Sequence, residues 1–148
     1  MVVPKTYSEW AEILTLLEQK VDDEAVLNAM HRGTIEWQTG VAERFSQRLI
    51  DVINKRMNWA TDKLSKDMSR AKGQESVIVQ ALLSLRREMC FLAKAINLPA
   101  IPTDYRQQYH QLVIKQANSM QSSLEDSAKQ DKTGKLASIV RNHRVNMI

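Results

Sequence analysis

Three histidines, one cysteine and a run of three acids are the residues through which a metal or a nucleophile would act in this chain. His31, His110 and His143 stand far apart, and none follows a glutamate by three positions, so the Glu-x-x-His pattern of a di-iron helix is missing. The paired cysteines or histidines of a zinc site are missing too. There is no glycine-rich phosphate loop, no nucleophile elbow and no spacing that pairs Cys90 with a histidine. Asp22, Asp23 and Glu24 read as the start of a helix, where carboxylates meet free amides. The expectation is a chain with no catalytic residues, no cofactor and no metal, and not an enzyme.

Binding chemistry has more to offer. Arg44, Arg48, Lys55, Lys63, Lys66 and Arg70 project into one broad sector of a long helix, an array that can follow a phosphate backbone. Acids are interleaved at spacings of three or four: Asp51 with Arg48 and Lys55, Asp62 with Lys66, and Asp67 with Lys63 and Arg70. Such interleaving describes a solvated face better than a phosphate track. Near the C-terminus Lys129, Lys132, Lys135, Arg141 and Arg144 are opposed only by Asp131, while Leu136, Ile139 and Val140 share one helical face. That is the composition of a docking segment, so residues 133–148 are expected to pack onto their own bundle or a neighbouring subunit. A helix-turn-helix fits "DEAVLNAMHRGTIEWQTGVAERF" poorly, because its second helix would open Ile35, Glu36, Trp37 and offer only Gln38 early for base reading.

Charge is uneven. Residues 1–40 hold three basic and seven acidic side chains, 41–75 eight and five, 76–128 five and four, and 129–148 five and one, for a net charge of +4. An acidic front and a basic tail suit intramolecular pairing, head-to-tail contact or an anionic partner equally.

The elements that must position these groups are helices. With 148 residues, four Gly and three Pro, the chain has the length of one domain and few places for tight turns. Thr6 and Glu9 match a capping box, and Trp10, Ile13, Leu14, Leu17 and Val21 form the stripe of a first helix ending near Lys20. "DDEAVLNAMHRG" reads as a second helix stopped by Gly33. A third runs from about Val41 to Lys72, begun at Ile35 if Gly40 only disturbs it, and Gly73 closes it. The fourth carries Ile78, Leu82, Leu85, Met89, Leu92 and Ile96 at alternating steps of four and three, widened by Val79, Leu83 and Cys90, and is expected to be the central one. Pro99 and Pro102 separate it from a fifth striped by Tyr105, Tyr109, Leu112, Val113, Ala117, Met120, Leu124 and Ala128. After Gly134, "LASIVRNHRVNMI" has helical spacing, although its branched residues also suit a strand. The fold expected is all-α, a single-domain antiparallel bundle over 1–148 of about five helices with a long central hairpin and a short basic C-terminal segment.

Arg56 interrupts the third helix's seam of Phe45, Leu49, Val52 and Trp59. It is expected to be a snorkelling stem whose guanidinium stacks near Trp59 or pairs with an acid on another helix, at the border where the helix leaves the core. The other reading is a polar residue that sets register at an oligomer seam.

The function expected from these features is that of a non-enzymatic helical interaction protein, a subunit or adaptor in an intracellular assembly, with a protein partner or self-association. The alternative is a basic nucleic-acid-binding protein or a helical small subunit of a nucleoprotein complex. No apolar run is long enough to span a bilayer and "MVVPKTYSEW" lacks a signal peptide's apolar stretch, so no membrane is expected. A lone cysteine among apolar neighbours suits the reducing cytoplasm.

Overall fold

The computed structural model describes residues 1–36 and 40–148. The protein is an all-α helical bundle, with six helices among the described residues: α1 (Tyr7–Gln19), α2 (Asp23–Arg32), α3 (Val41–Ala71), α4 (Glu75–Ile96), α5 (Thr103–Ala128) and α6 (Lys135–Asn142). The sixth comes from the expected basic segment, which is helical rather than a strand.

Local chemistry sets the ends. The Thr6 hydroxyl accepts the Glu9 amide at 3.2 Å, and the Glu9 carboxylate accepts the Thr6 amide at 3.2 Å, completing the capping box. Lys20 closes α1 in the left-handed region at φ 55°, which turns the chain and leaves Val21, expected on the stripe, 60% exposed. Gly33 ends α2 in extended backbone, and its missing side chain is a matter of space: a Cβ there would lie 2.6 Å from the Trp10 ring. Ile35 and Glu36 are not helical, so α3 does not start at Ile35 and no base-reading helix opens there; Trp37 and Gln38 lie outside the described residues. Lys72 and Gly73, both at positive φ, break α3 from α4.

The chain divides into two compact units, residues 1–56 with 94–110, and residues 57–93 with 111–148. In the first, Trp10 meets Phe45 edge-on with ring centroids 5.3 Å apart, and its indole N–H donates to the Thr34 carbonyl at 2.8 Å. Leu14, Leu17, Met30, Leu49 and Ile53 are buried around them, each side chain contributing about 1.5–3 kcal/mol through loss of apolar surface to water.

In the second unit the later part of α3 pairs with α4 across the Gly73 turn as the expected hairpin, Lys63 donating to Ser84 at 3.3 Å. Ile78, Leu82, Leu85, Met89 and Leu92 are buried on α4 as their spacing implied, and Met57, Ala60 and Leu64 of α3 and Val113, Ala117 and Ala128 of α5 are buried in the same unit. Phe91, on the same helix as Ile78, is half-buried. Along α3 the buried positions pass from Phe45, Leu49, Val52 and Arg56 to Ile53, Met57, Ala60, Leu64 and Ala71. The buried stripe thus moves over by one position, and Trp59, the expected next seam position, stands 42% exposed.

Candidate interaction groove

Arg56 does not stand at a border. It is fully buried, and its two guanidinium nitrogens clasp the Asp23 carboxylate at 2.8 Å each while one also donates to the Leu17 carbonyl at 3.0 Å. The acid on another helix is present as expected, and it comes from the run Asp22, Asp23, Glu24. Asp22 caps α2 by accepting the Ala25 amide, which leaves Asp23 on the first turn to meet α3. The fork also satisfies a carbonyl at the end of α1, so one side chain ties together three helices of the first unit.

The basic array splits along α3. Arg48 and Lys55 both donate to Glu18 of α1 at 2.6 Å, in place of the pairing expected between Arg48 and Asp51, and Asp51 accepts from Gln47 instead. These two cations, the Lys55 ammonium first, hold the Glu18 carboxyl below the usual carboxylate range. Arg44 lies over the Tyr7 ring, 5.6 Å from its centroid. Lys63 pairs with Asp67 at 3.4 Å, one turn on, as its spacing implied. Lys66 and Arg70 make no ion pair among the described residues, and Asp62 is not within pairing distance of Lys66.

The tail packs on its own unit. Ile139, Val140 and Val145 are buried, with Leu136 half-buried beside them. The buried Gln121 amide of α5 accepts the Val145 amide at 3.0 Å and donates to the Val140 carbonyl at 3.4 Å. Arg86 and Cys90 of α4 donate to the carbonyls of Arg144 and Met147. Asp131, which spacing offered as the lone acid among basic residues, accepts the Leu136 amide at 3.0 Å and the Thr133 hydroxyl and amide, contacts that lower its carboxyl's pKa and start α6. Arg144 faces Glu125 at 3.5 Å, both half-buried, while Lys135 faces Glu75 at 3.6 Å and Lys129 faces Asp126 at 3.4 Å, both pairs exposed. Arg141 is exposed.

What the second unit leaves open is a groove of about 530 Å³ between α3 and α5. Its floor is Leu64, Met68, Met120 and Leu124; its walls are Ser65 and Ser69 on α3 and Ser119, Ser123 and Ser127 on α5. Asn58, Thr61 and Gln116 line it further toward the start of each stretch, and the Thr61 hydroxyl lies 3.8 Å from the Met120 sulfur. Ser65 and Ser69 also border a shallower depression with Asp62, Lys66 and Arg70, so the groove has a charged rim on the α3 side.

Of the candidate residues, Lys66 and Arg70 lie at this groove, Lys63 is on the same part of α3, and Leu136, Ile139, Val140, Arg141 and Arg144 belong to the packed tail. The serines went unread in the sequence, although their spacing of four on both helices was the available signal. Met120 and Leu124, on the expected stripe of the fifth helix, are half-buried because the α5 face toward the core is carried by Val113, Ala117, Gln121 and Ala128. Among the described residues no three of His, Cys, Asp and Glu are grouped as metal ligands, and no helix is long and apolar enough to cross a membrane. Comparison with family models, curated proteins and solved structures finds no match.

Proposed function

We propose that the protein is a non-enzymatic helical interaction protein, a subunit or adaptor that binds another protein through the groove between α3 and α5. The observation that supports this is the division of labour along α3. Arg44, Arg48, Lys55 and Arg56 are engaged by groups of the first unit, and the apolar tail is engaged by the second, whereas the serine-walled groove over Leu64, Met68, Met120 and Leu124 has nothing of the described chain laid in it. A partly apolar concavity rimmed by polar groups is the form that protein-binding surfaces take.

A nucleic-acid interface would need its cations free to face phosphates, and half of the α3 array, Arg44, Arg48 and Lys55, is committed to Tyr7 and Glu18. The test is the solution mass of the purified chain, together with titration against labelled duplex DNA and RNA between about 50 and 200 mM salt. A nuclease-resistant mass above that of one chain that is accounted for by a co-purifying protein, with no saturable nucleic-acid binding at the upper salt, supports the reading. A mass that falls on nuclease treatment contradicts it, as does nucleic-acid binding that weakens steeply with salt and is lost in Arg141→Ala/Arg144→Ala.

A further inference from the structure

The geometry points to one kind of occupant for the groove, an amphipathic α-helix of about three turns from a protein partner, carrying carboxylates along the edge that faces Lys66 and Arg70. This rests on the reading of the groove as a protein-binding site and specifies what fills it.

Length comes first. The lining residues span 58–69 on α3 and 116–127 on α5, twelve residues on each wall. At 1.5 Å per residue each wall is about 17 Å long, which matches three turns of a third helix laid between them.

Wall chemistry comes second. The serines recur every fourth residue and are exposed, and none of their side chains makes a hydrogen bond among the described residues. Small side chains on two facing walls let a third backbone approach closely, and the hydroxyls can meet polar flanks of the incoming helix. Beneath them, Met68 and Met120 are adaptable surfaces for an apolar ridge of Leu or Met type.

Charge decides the flank. Along the rim the sequence is Asp62, then Lys66, then Arg70, at steps of four on one helix face. Both cations lack an ion pair among the described residues, while Arg48, Lys55, Arg56 and Lys63 of the same helix are all paired. An incoming helix with acids beside Lys66 and Arg70 gains two ion pairs across the rim. Asp62 disfavours acids at the opposite end, which fixes the polarity of docking.

The probe is a designed 18-residue helical peptide with a Leu/Ala ridge and glutamates on one flank, fluorescein-labelled, beside a twin with lysines in place of the glutamates. Anisotropy titration of the full chain should give binding of the glutamate peptide about tenfold or more tighter than its twin. Ser123→Trp, an exposed-position change that fills the groove, should abolish binding, and Lys66→Glu/Arg70→Glu should invert the preference between the peptides without lowering the melting temperature. Equal affinity for both peptides, binding to neither, or binding unaffected by Ser123→Trp would overturn the assignment. So would a concentration-dependent dimer that Ser123→Trp disrupts, which makes a second copy the occupant, or duplex nucleic acid bound through Lys66 and Arg70 with neither peptide bound. A photo-crosslinker at Ser65 that captures protein in cells while both peptides fail would remove the acidic helix and leave the protein-binding reading standing; failure of that capture removes the reading itself.

Discussion

The two ends of α3 carry similar sequence and meet different fates. Basic residues gather at both ends, Arg44, Arg48, Lys55 and Arg56 at the first and Lys63, Lys66 and Arg70 at the second. At the first end α1 and α2 bring Glu18, Asp23, a carbonyl and a tyrosine ring to those cations, so that charge becomes internal wiring of the first unit. At the second end only Asp67, on the helix itself, is paired, and Lys66 and Arg70 are left at the rim of a groove. The lesson is that a basic stripe is not a property of one helix. Whether it becomes a surface for partners depends on which acids the neighbouring helices supply.

That contrast can be broken most forcefully at the tail. Ile139→Asp/Val140→Asp would put two carboxylates where the second unit is dry, and should cost about 5 kcal/mol together in chemical denaturation. Arg141→Ala/Arg144→Ala should cost under about 1 kcal/mol, because Arg144 and Glu125 are both more than one-third exposed. Equal costs would show that the tail is held by charge.

At the wired end, Asp23→Ala takes from the buried Arg56 guanidinium the carboxylate that both its nitrogens grip, and should cost about 3–5 kcal/mol. Arg56→Met, which removes the buried charge and fills the space, should cost less. The reverse order in denaturant midpoints would mean that the pair is not what secures α1 and α2. Leu85→Ala, in the core of the second unit, should cost about 3 kcal/mol as a cavity, so an effect near zero would expose that α4 face as an interface.

The smallest effect is the most specific. Lys55 and Arg48 hold the Glu18 carboxyl below its ordinary value of 4.5, so the folded state binds its proton less readily than the unfolded chain. Its contribution is therefore complete above that value and fades as pH falls below it. Glu18→Gln should flatten the dependence of stability on pH between 5 and 3. An unchanged acid limb in the variant would show that Glu18 is not coupled to folding.

Much of the fold was legible in the sequence because it is set locally. Thr6 and Glu9, Asp22, Gly73 and the two prolines mark boundaries through capping and backbone geometry, and the α4 stripe names its own buried side. What lay out of reach is pairing between distant positions. Arg56 was visible as an anomaly, yet its partner Asp23 looked like one more acid at a helix start. Glu18 sits 30 residues from Arg48, whereas the same-helix acid Asp51 was near enough to be chosen wrongly for it. The move of the α3 stripe by one position was out of reach as well, because the buried face of a long helix is set by what packs along it and not by its own period. The groove was hidden for another reason: its walls are serines, which look like solvated surface until two helices place them face to face.

The central claim is that α3 is closed at one end and open to a protein partner at the other. A photo-crosslinking amino acid placed in cells at Ser65, on the groove wall, and in parallel at Gln47, exposed at the wired end, compares the two directly. The account predicts a discrete, nuclease-resistant protein adduct from Ser65 and none from Gln47. Adducts of equal yield from both positions, or a Ser65 adduct that nuclease removes, would contradict it.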